Sequence, residues 1–198
     1  MAEFLLALPH ILEHEGGSAF TNDPTDPGGA TRWGVSLRYL LARGDLDGNG
    51  LPDGDVDGDG DVDVDDVRAM PRDRAAWIYE SGFWVPNRCG EIVAQRVADK
   101  IVDTAVNVGG AQCWRLAQRA VNDLLIFNAD FGRPKTLDVD GKVGRATLDY
   151  VNSLPEVSYL RQFAQHQLAF YEQLIVARPK LVKYRNGWAR RARWPLTE

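Results

Sequence analysis

Apolar residues recur at helical spacing along most of the chain. Phe4, Leu5, Leu8, Ile11 and Leu12 mark a first helix over Phe4–Glu13, which Pro9 should bend or delay. Ser36 is placed to cap a helix through Ala42. A further helix should run from about Val64 or Pro71 to Tyr79 and stop at Gly82. Between Glu91 and Val108, apolar residues stand at 92, 93, 97, 101, 102, 105 and 108, a strong 3.6-residue period that Gly109-Gly110 ends. Gln112–Leu125, Gly144–Asn152 and Ser158–Val176 also read as helices, and YRNGWARRARWP (184–195) as a last helix or turn. A strand signal is confined to Thr31–Val35, the expected far arm of a hairpin with DPGG (26–29) at its tip. The pattern predicts a mainly helical domain with one small hairpin.

The 198 residues, 44% of them hydrophobic, suffice for one core. No run approaches the roughly 18 apolar residues of a membrane span, so stable membrane insertion is not expected. The apolar N-terminus lacks a basic leader region and a cleavage site, so it reads as the first helix rather than a signal peptide. Cys89 and Cys113 are expected as two reduced, buried thiols.

Charge changes the picture more. The chain carries a net −5, yet residues 45–66 hold ten aspartates and no Lys or Arg, so the remainder carries +5. From Arg178 to Trp194 there are seven basic residues and no acid. A basic body suits an anionic partner such as cell wall. The tail lacks a nucleic-acid recognition motif, so nucleic acid is not expected.

Ten like charges in 22 residues repel one another unless a cation neutralises them. Their spacing points to calcium. Counting from Asp55, acids fall at positions 1, 3 and 5 (Asp55, Asp57, Asp59), Gly60 at 6, Asp63 at 9 and Asp66 at 12, with the Asp61 carbonyl at 7. This is the EF-hand loop pattern, with Asp in place of Glu at its last position. A second, incomplete loop starts at Asp45 with Asp47, Asn49, Gly50 and Asp53, so one or two ions are expected.

The other unusual stretch is EGGSAFTNDPTDPGGATRWGV (15–35). Glu15 ends a helix and runs into glycines, which places a carboxylic acid at a cleft rim. Asp26 and Thr31 follow on the hairpin, and two carboxyl groups flanking a bond is the arrangement of glycoside hydrolysis. Asp23 rivals Asp26 as the second carboxylate. Tyr79 and Trp84 offer rings that stack on sugars or fill a core. Asn107 and Gln118 can bond acetamido groups or satisfy helix ends.

EGG followed by NDPTDPGGATRWGV resembles the N-terminal signature of glycoside hydrolase family 108, the N-acetylmuramidases of phage endolysins and secretion-activator-like proteins. DTAVNVGGAQCWRLAQRAVN (103–122) resembles the family's central helices. LDVDGKVGRATLDYVN (137–152) resembles its peptidoglycan-binding-like region, and FAQHQLAFYEQL with YRNGWARRA its closing helices. The likeness covers nearly the whole chain except 45–66. It implies a mainly α, lysozyme-like helical domain, with Glu15 protonating the glycosidic oxygen of peptidoglycan and Asp26 and Thr31 holding water or stabilising the cationic transition state. The expected organisation is 1–44 with 67–110 as catalytic region, 45–66 as an EF-hand-like calcium insert, and 111–198 as a C-terminal helical part. A monomer is expected, waiting in the host cytoplasm until a holin-type pore releases it onto the wall. The competing reading is a non-catalytic, calcium-dependent wall- or protein-binding module.

Overall fold

The computed structural model describes residues 1–23, 28–45, 48, 50–127 and 136–196. Among them the elements run α1 (Phe4–His14), β1 (Thr31–Arg32), β2 (Val35–Ser36), α2 (Leu37–Arg43), α3 (Val64–Ala69), α4 (Arg72–Tyr79), α5 (Gln95–Val108), α6 (Gly110–Phe127), α7 (Arg145–Ser153), α8 (Glu156–Ala177) and α9 (Arg185–Arg193). A π-helical turn spans Glu80–Trp84, and short 3-10 turns span Cys89–Glu91 and Pro179–Tyr184. The expectation of a mainly helical chain with one hairpin is met. The chain forms two compact units, one of Met1–Ala7 with Phe83–Glu198, the other of Leu8–Gly82.

The first unit is built around α5, whose residues are buried from Val97 to Ala105 without a break. Its apolar side chains supply the expected core stripe. Its polar face is also covered, and each charge there finds a partner. Arg191 of α9 pairs with Asp103 at 2.9 Å. Lys100, 1% exposed, donates to the carbonyls of Arg191 and Ala192, both at 2.9 Å, and so caps the end of α9. Trp188 stacks on Tyr171 of α8 with ring centres 4.8 Å apart. Part of the basic tail is thus spent on docking α9. Cys89 and Cys113 are free and buried, as expected, and burial pushes both thiols up.

Burial pushes the Lys100 ammonium down to about 8 from 10.5, against the opposing pull of Asp103. Between those two values the unfolded chain binds a proton that the folded chain has released. The contribution of Lys100 to stability therefore rises with pH across the window, by roughly 3 kcal/mol in all, opposed above about pH 9 by the two buried thiols, which keep protons that the unfolded chain loses. The gain is complete above 10.5 and lost as pH falls through 8. The melting temperature of the unaltered protein minus that of Lys100→Met should increase from pH 8 to 10.5; a difference that stays constant would assign no such contribution to Lys100.

In the second unit the helix expected from Val64 or Pro71 to Tyr79 takes the later start, as α4, and Val64–Ala69 forms a separate helix, α3. Pro71 disfavours helical geometry at Met70, which adopts ψ 114° and closes α3, while Pro71 itself opens α4. Ser36 caps α2 as expected, accepting from the Tyr39 amide at 3.2 Å. The single strand expected over Thr31–Val35 is broken in two: β1 and β2 pair antiparallel with Thr31 opposite Ser36 and Arg32 opposite Val35, and the chain reverses at Trp33-Gly34. Asp26 and Pro27 of the expected DPGG tip lie outside the described residues. Thr31 also bridges back to Thr21, with mutual amide–carbonyl bonds of 2.8 and 2.9 Å. The segment from Gly28 to Ala30 serves α2: its first amides, at Leu37 and Arg38, donate to the carbonyls of Ala30 and Gly28.

Candidate functional site

Glu15 follows the last residue of α1, its amide still bonded to the Ile11 carbonyl at 3.1 Å. Gly16 and Gly17 then take φ of 89° and 68°, which ends the helix and turns the chain away. The side chain of Glu15 is half-buried.

Against it lies the tip of the hairpin. A two-residue turn matched to the strand twist needs positive φ at both positions, and Trp33 has φ 55° and Gly34 φ 75°. A tryptophan in this region is strained, and such strain clusters at functional sites. Two bonds hold it: Trp33 Nε1 donates to the Met70 carbonyl at 3.2 Å, and Tyr79 OH donates to the Trp33 carbonyl at 2.8 Å. Gly34 touches Glu15 directly. A Cβ placed on Gly34 would stand 2.3 Å from Glu15 Cβ and 2.6 Å from Tyr79 OH. The absence of a side chain at 34 is what lets the turn seat against the acid.

Thr31 sits two residues before this turn, half-buried, its Oγ1 donating to the Gly29 carbonyl at 3.2 Å. Asp23 is exposed, two residues after the bridge partner of Thr31. Asp26 lies outside the described residues. The second unit therefore joins Glu15 to the hairpin that carries Thr31, with Tyr79 as the link. Of the two roles open to Tyr79, sugar stacking and core filling, burial favours the second: at 2% exposure it has no ring face open to a sugar, and its hydroxyl secures the turn.

Trp84, Asn107 and Gln118 belong to the other unit. Trp84 is 6% exposed and packs edge-on against Phe4, which corrects its reading as a sugar platform. Gln118, also buried, bonds Asp140, the Gly141 amide and the Lys142 carbonyl, so it orders the 140–142 turn instead of meeting substrate. Asn107 is exposed and accepts from Tyr171 OH at 2.7 Å.

The acidic segment belongs to the second unit and is closely organised. Asp55 accepts from the amides of Gly58 and Gly60 through its two oxygens, at 2.7 and 3.1 Å. Asp45 repeats this ten residues earlier with Gly48 and Gly50, at 2.7 and 2.8 Å. Asp47 and Asn49 lie outside the described residues. Oxygens of Asp55, Asp57 and Asp59 lie within 4.8 Å of one another, as do those of Asp61, Asp63 and Asp66. Desolvation and the neighbouring Asp59 raise Asp57; Asp59 and then desolvation raise Asp61. Asp66, 1% exposed, accepts from the amides of Val56, Asp57 and Asp63, and forms a capping box with Asp63 at the start of α3. Asp53 corrects its reading as a loop ligand. It is 1% exposed and pairs with buried Arg43 at 3.5 Å.

The glycosyl hydrolase 108 family model matches residues 8–109, spanning Glu15, the hairpin and the acidic segment. The chain belongs to that family. It is thereby a glycoside hydrolase. The structure resembles that of SagA of Brucella abortus, at 24% identity over 96% of this chain and 88% of that one, with a TM-score of 0.67. At that identity the likeness establishes a shared fold. No curated protein matches the chain in sequence.

Proposed function

We propose that the protein is a muramidase that hydrolyses the β-1,4 bond between N-acetylmuramic acid and N-acetylglucosamine in peptidoglycan. The observation that carries the reading is Glu15, set at the end of α1 against a strained hairpin turn, in a chain of this hydrolase family. Glu15 in its acid form gives its proton to the glycosidic oxygen as the C–O bond breaks. The sugar left behind carries oxocarbenium-like positive charge, which a second carboxylate stabilises while water is led to the anomeric carbon. Asp26 takes that role, with Asp23 as its rival, and Thr31 orients the water. The net +5 outside residues 45–66 draws in a glycan strand that bears carboxylates. The enzyme works as a monomer at the wall after a pore made by another protein releases it, as an endolysin does.

Mass spectrometry of digested peptidoglycan tests the bond assignment. Fragments ending in reducing N-acetylmuramic acid support it; reducing N-acetylglucosamine ends, or cleaved peptide stems, sink it.

The acidic segment takes calcium as a structural ion. Its all-oxygen donor set suits a hard cation, and the doubled carboxylate–glycine pattern at Asp45 and Asp55 supports the reading. Asp55, Asp57, Asp59, the Asp61 carbonyl, Asp63 and Asp66 would hold the ion in the complete loop. It would neutralise the mutual repulsion of the aspartates and supply no step of the hydrolysis. Melting in millimolar calcium should exceed melting in chelator by several degrees; coincident curves would speak against a bound metal.

A further inference from the structure

We infer that Asp53, in the acidic segment, is a positioning residue for Glu15, acting through Arg43, the end of α4 and Tyr79. The inference rests on Glu15 being the general acid. It gives the acidic segment a part in catalysis that needs no metal.

Asp53 and Arg43 are nearly sealed from water, at 1% and 8% exposure. The Asp53 backbone is tied on both sides: its amide donates to the Gly44 carbonyl at 2.7 Å, and its carbonyl accepts from Arg74 Nη2 at 2.6 Å. Its carboxylate faces Arg43 Nε at 3.5 Å. Arg43 then reaches the far end of α4. Nη2 donates to Ser81 Oγ at 2.8 Å and Nη1 to the Ile78 carbonyl at 3.4 Å. Ser81 Oγ donates in turn to the Trp77 carbonyl at 2.6 Å. The guanidinium also lies over the Trp77 ring, 4.7 Å from its centre. A cation at a helix C-terminus meets the exposed carbonyls and the negative end of the dipole. Here those carbonyls lead straight into a π-helical turn, a wide geometry that leaves backbone groups poorly matched.

Tyr79 is the last residue of α4, next to the carbonyl that Arg43 holds. Its hydroxyl fixes the Trp33 carbonyl, and Gly34 lies on the Glu15 stem. Displacement of the α4 end therefore moves the surface against which the acid rests. A buried ion pair is a weak device for stability, because desolvation offsets its attraction. It is a better device for fixing where a helix end stops.

The test uses the full chain, with steady-state cleavage measured well below every melting temperature. Tyr79→Phe removes only the hydroxyl; kcat should fall about tenfold with KM unchanged. Arg43→Met combined with Asp53→Leu replaces the pair by apolar side chains. It should melt near the unaltered protein and still lose about tenfold in kcat. Val67→Ala, in the core of the same unit but outside this chain of contacts, should lower melting and leave kcat alone. Unchanged kcat in both Tyr79→Phe and the apolar pair overturns the positioning role, as does a kcat loss that merely tracks melting temperature and appears in Val67→Ala. Glu15→Gln separates the two levels. If it retains activity, the general-acid reading falls and this inference with it. If it is inactive while Tyr79→Phe and the apolar pair cleave normally, only the positioning role is lost.

Discussion

Glu15→Gln yields a folded protein with wall-cleaving activity reduced by at least about a hundredfold. A general acid contributes typically 10²–10⁴ in rate, and an amide cannot give up the proton that the leaving oxygen needs. Glutamine keeps the length and shape of the stem, so its contact with Gly34 survives. Glu15 is half-buried, and no hydrophobic core depends on its charge. The change in stability should stay within about 1 kcal/mol. Turbidity clearing of purified walls gives the rate, and circular dichroism the melt. Wild-type clearing by the variant would remove Glu15 from the mechanism.

Gly34→Ala should be the most damaging single-methyl change in the second unit. Two costs combine. Alanine is disfavoured at φ 75° by about 1 kcal/mol. Its Cβ would also lie 2.3 Å from Glu15 Cβ and 2.6 Å from Tyr79 OH, far inside contact distance, so the turn or the acid must move. Overpacking of this kind adds about 1–3 kcal/mol. Activity should fall with it by about a hundredfold, because a displacement near 1 Å can cost that much. Gly17→Ala is the control. Its φ is 68°, and nothing lies within 4 Å of the added carbon. It should show the backbone cost of about 1 kcal/mol and little more. Equal losses in the two variants would mean that backbone conformation, rather than contact with Glu15, makes Gly34 necessary.

The difference between these glycines marks where sequence reading stops. Both follow Gly-rich signals, and each could be read as a turn. That position 34 touches position 15 depends on how the hairpin folds back, which local propensity does not encode. For the same reason Thr31–Val35 was expected as one unbroken strand. Trp33-Gly34 becomes a turn because Met70 and Tyr79 hold its strained conformation. Tyr79 and Trp84 are another instance: aromatic residues suit a sugar platform or a core equally, and only burial decides.

Periodicity alone determined most helices, because an apolar stripe every 3.6 residues is written directly in the order of residues. It likewise placed the Ser36 cap and, through the spacing of glycines and aspartates, the local turns at Asp45 and Asp55. Glu15 stood out for a similar reason, as an acid at a helix end before two glycines. Tertiary structure decided the rest. It buried Asp53 against Arg43, although its spacing read as a loop ligand, and it covered the polar face of α5 with the end of α9. A side chain's role among distant partners is set by packing, and packing joins residues whose separation along the chain carries no signal.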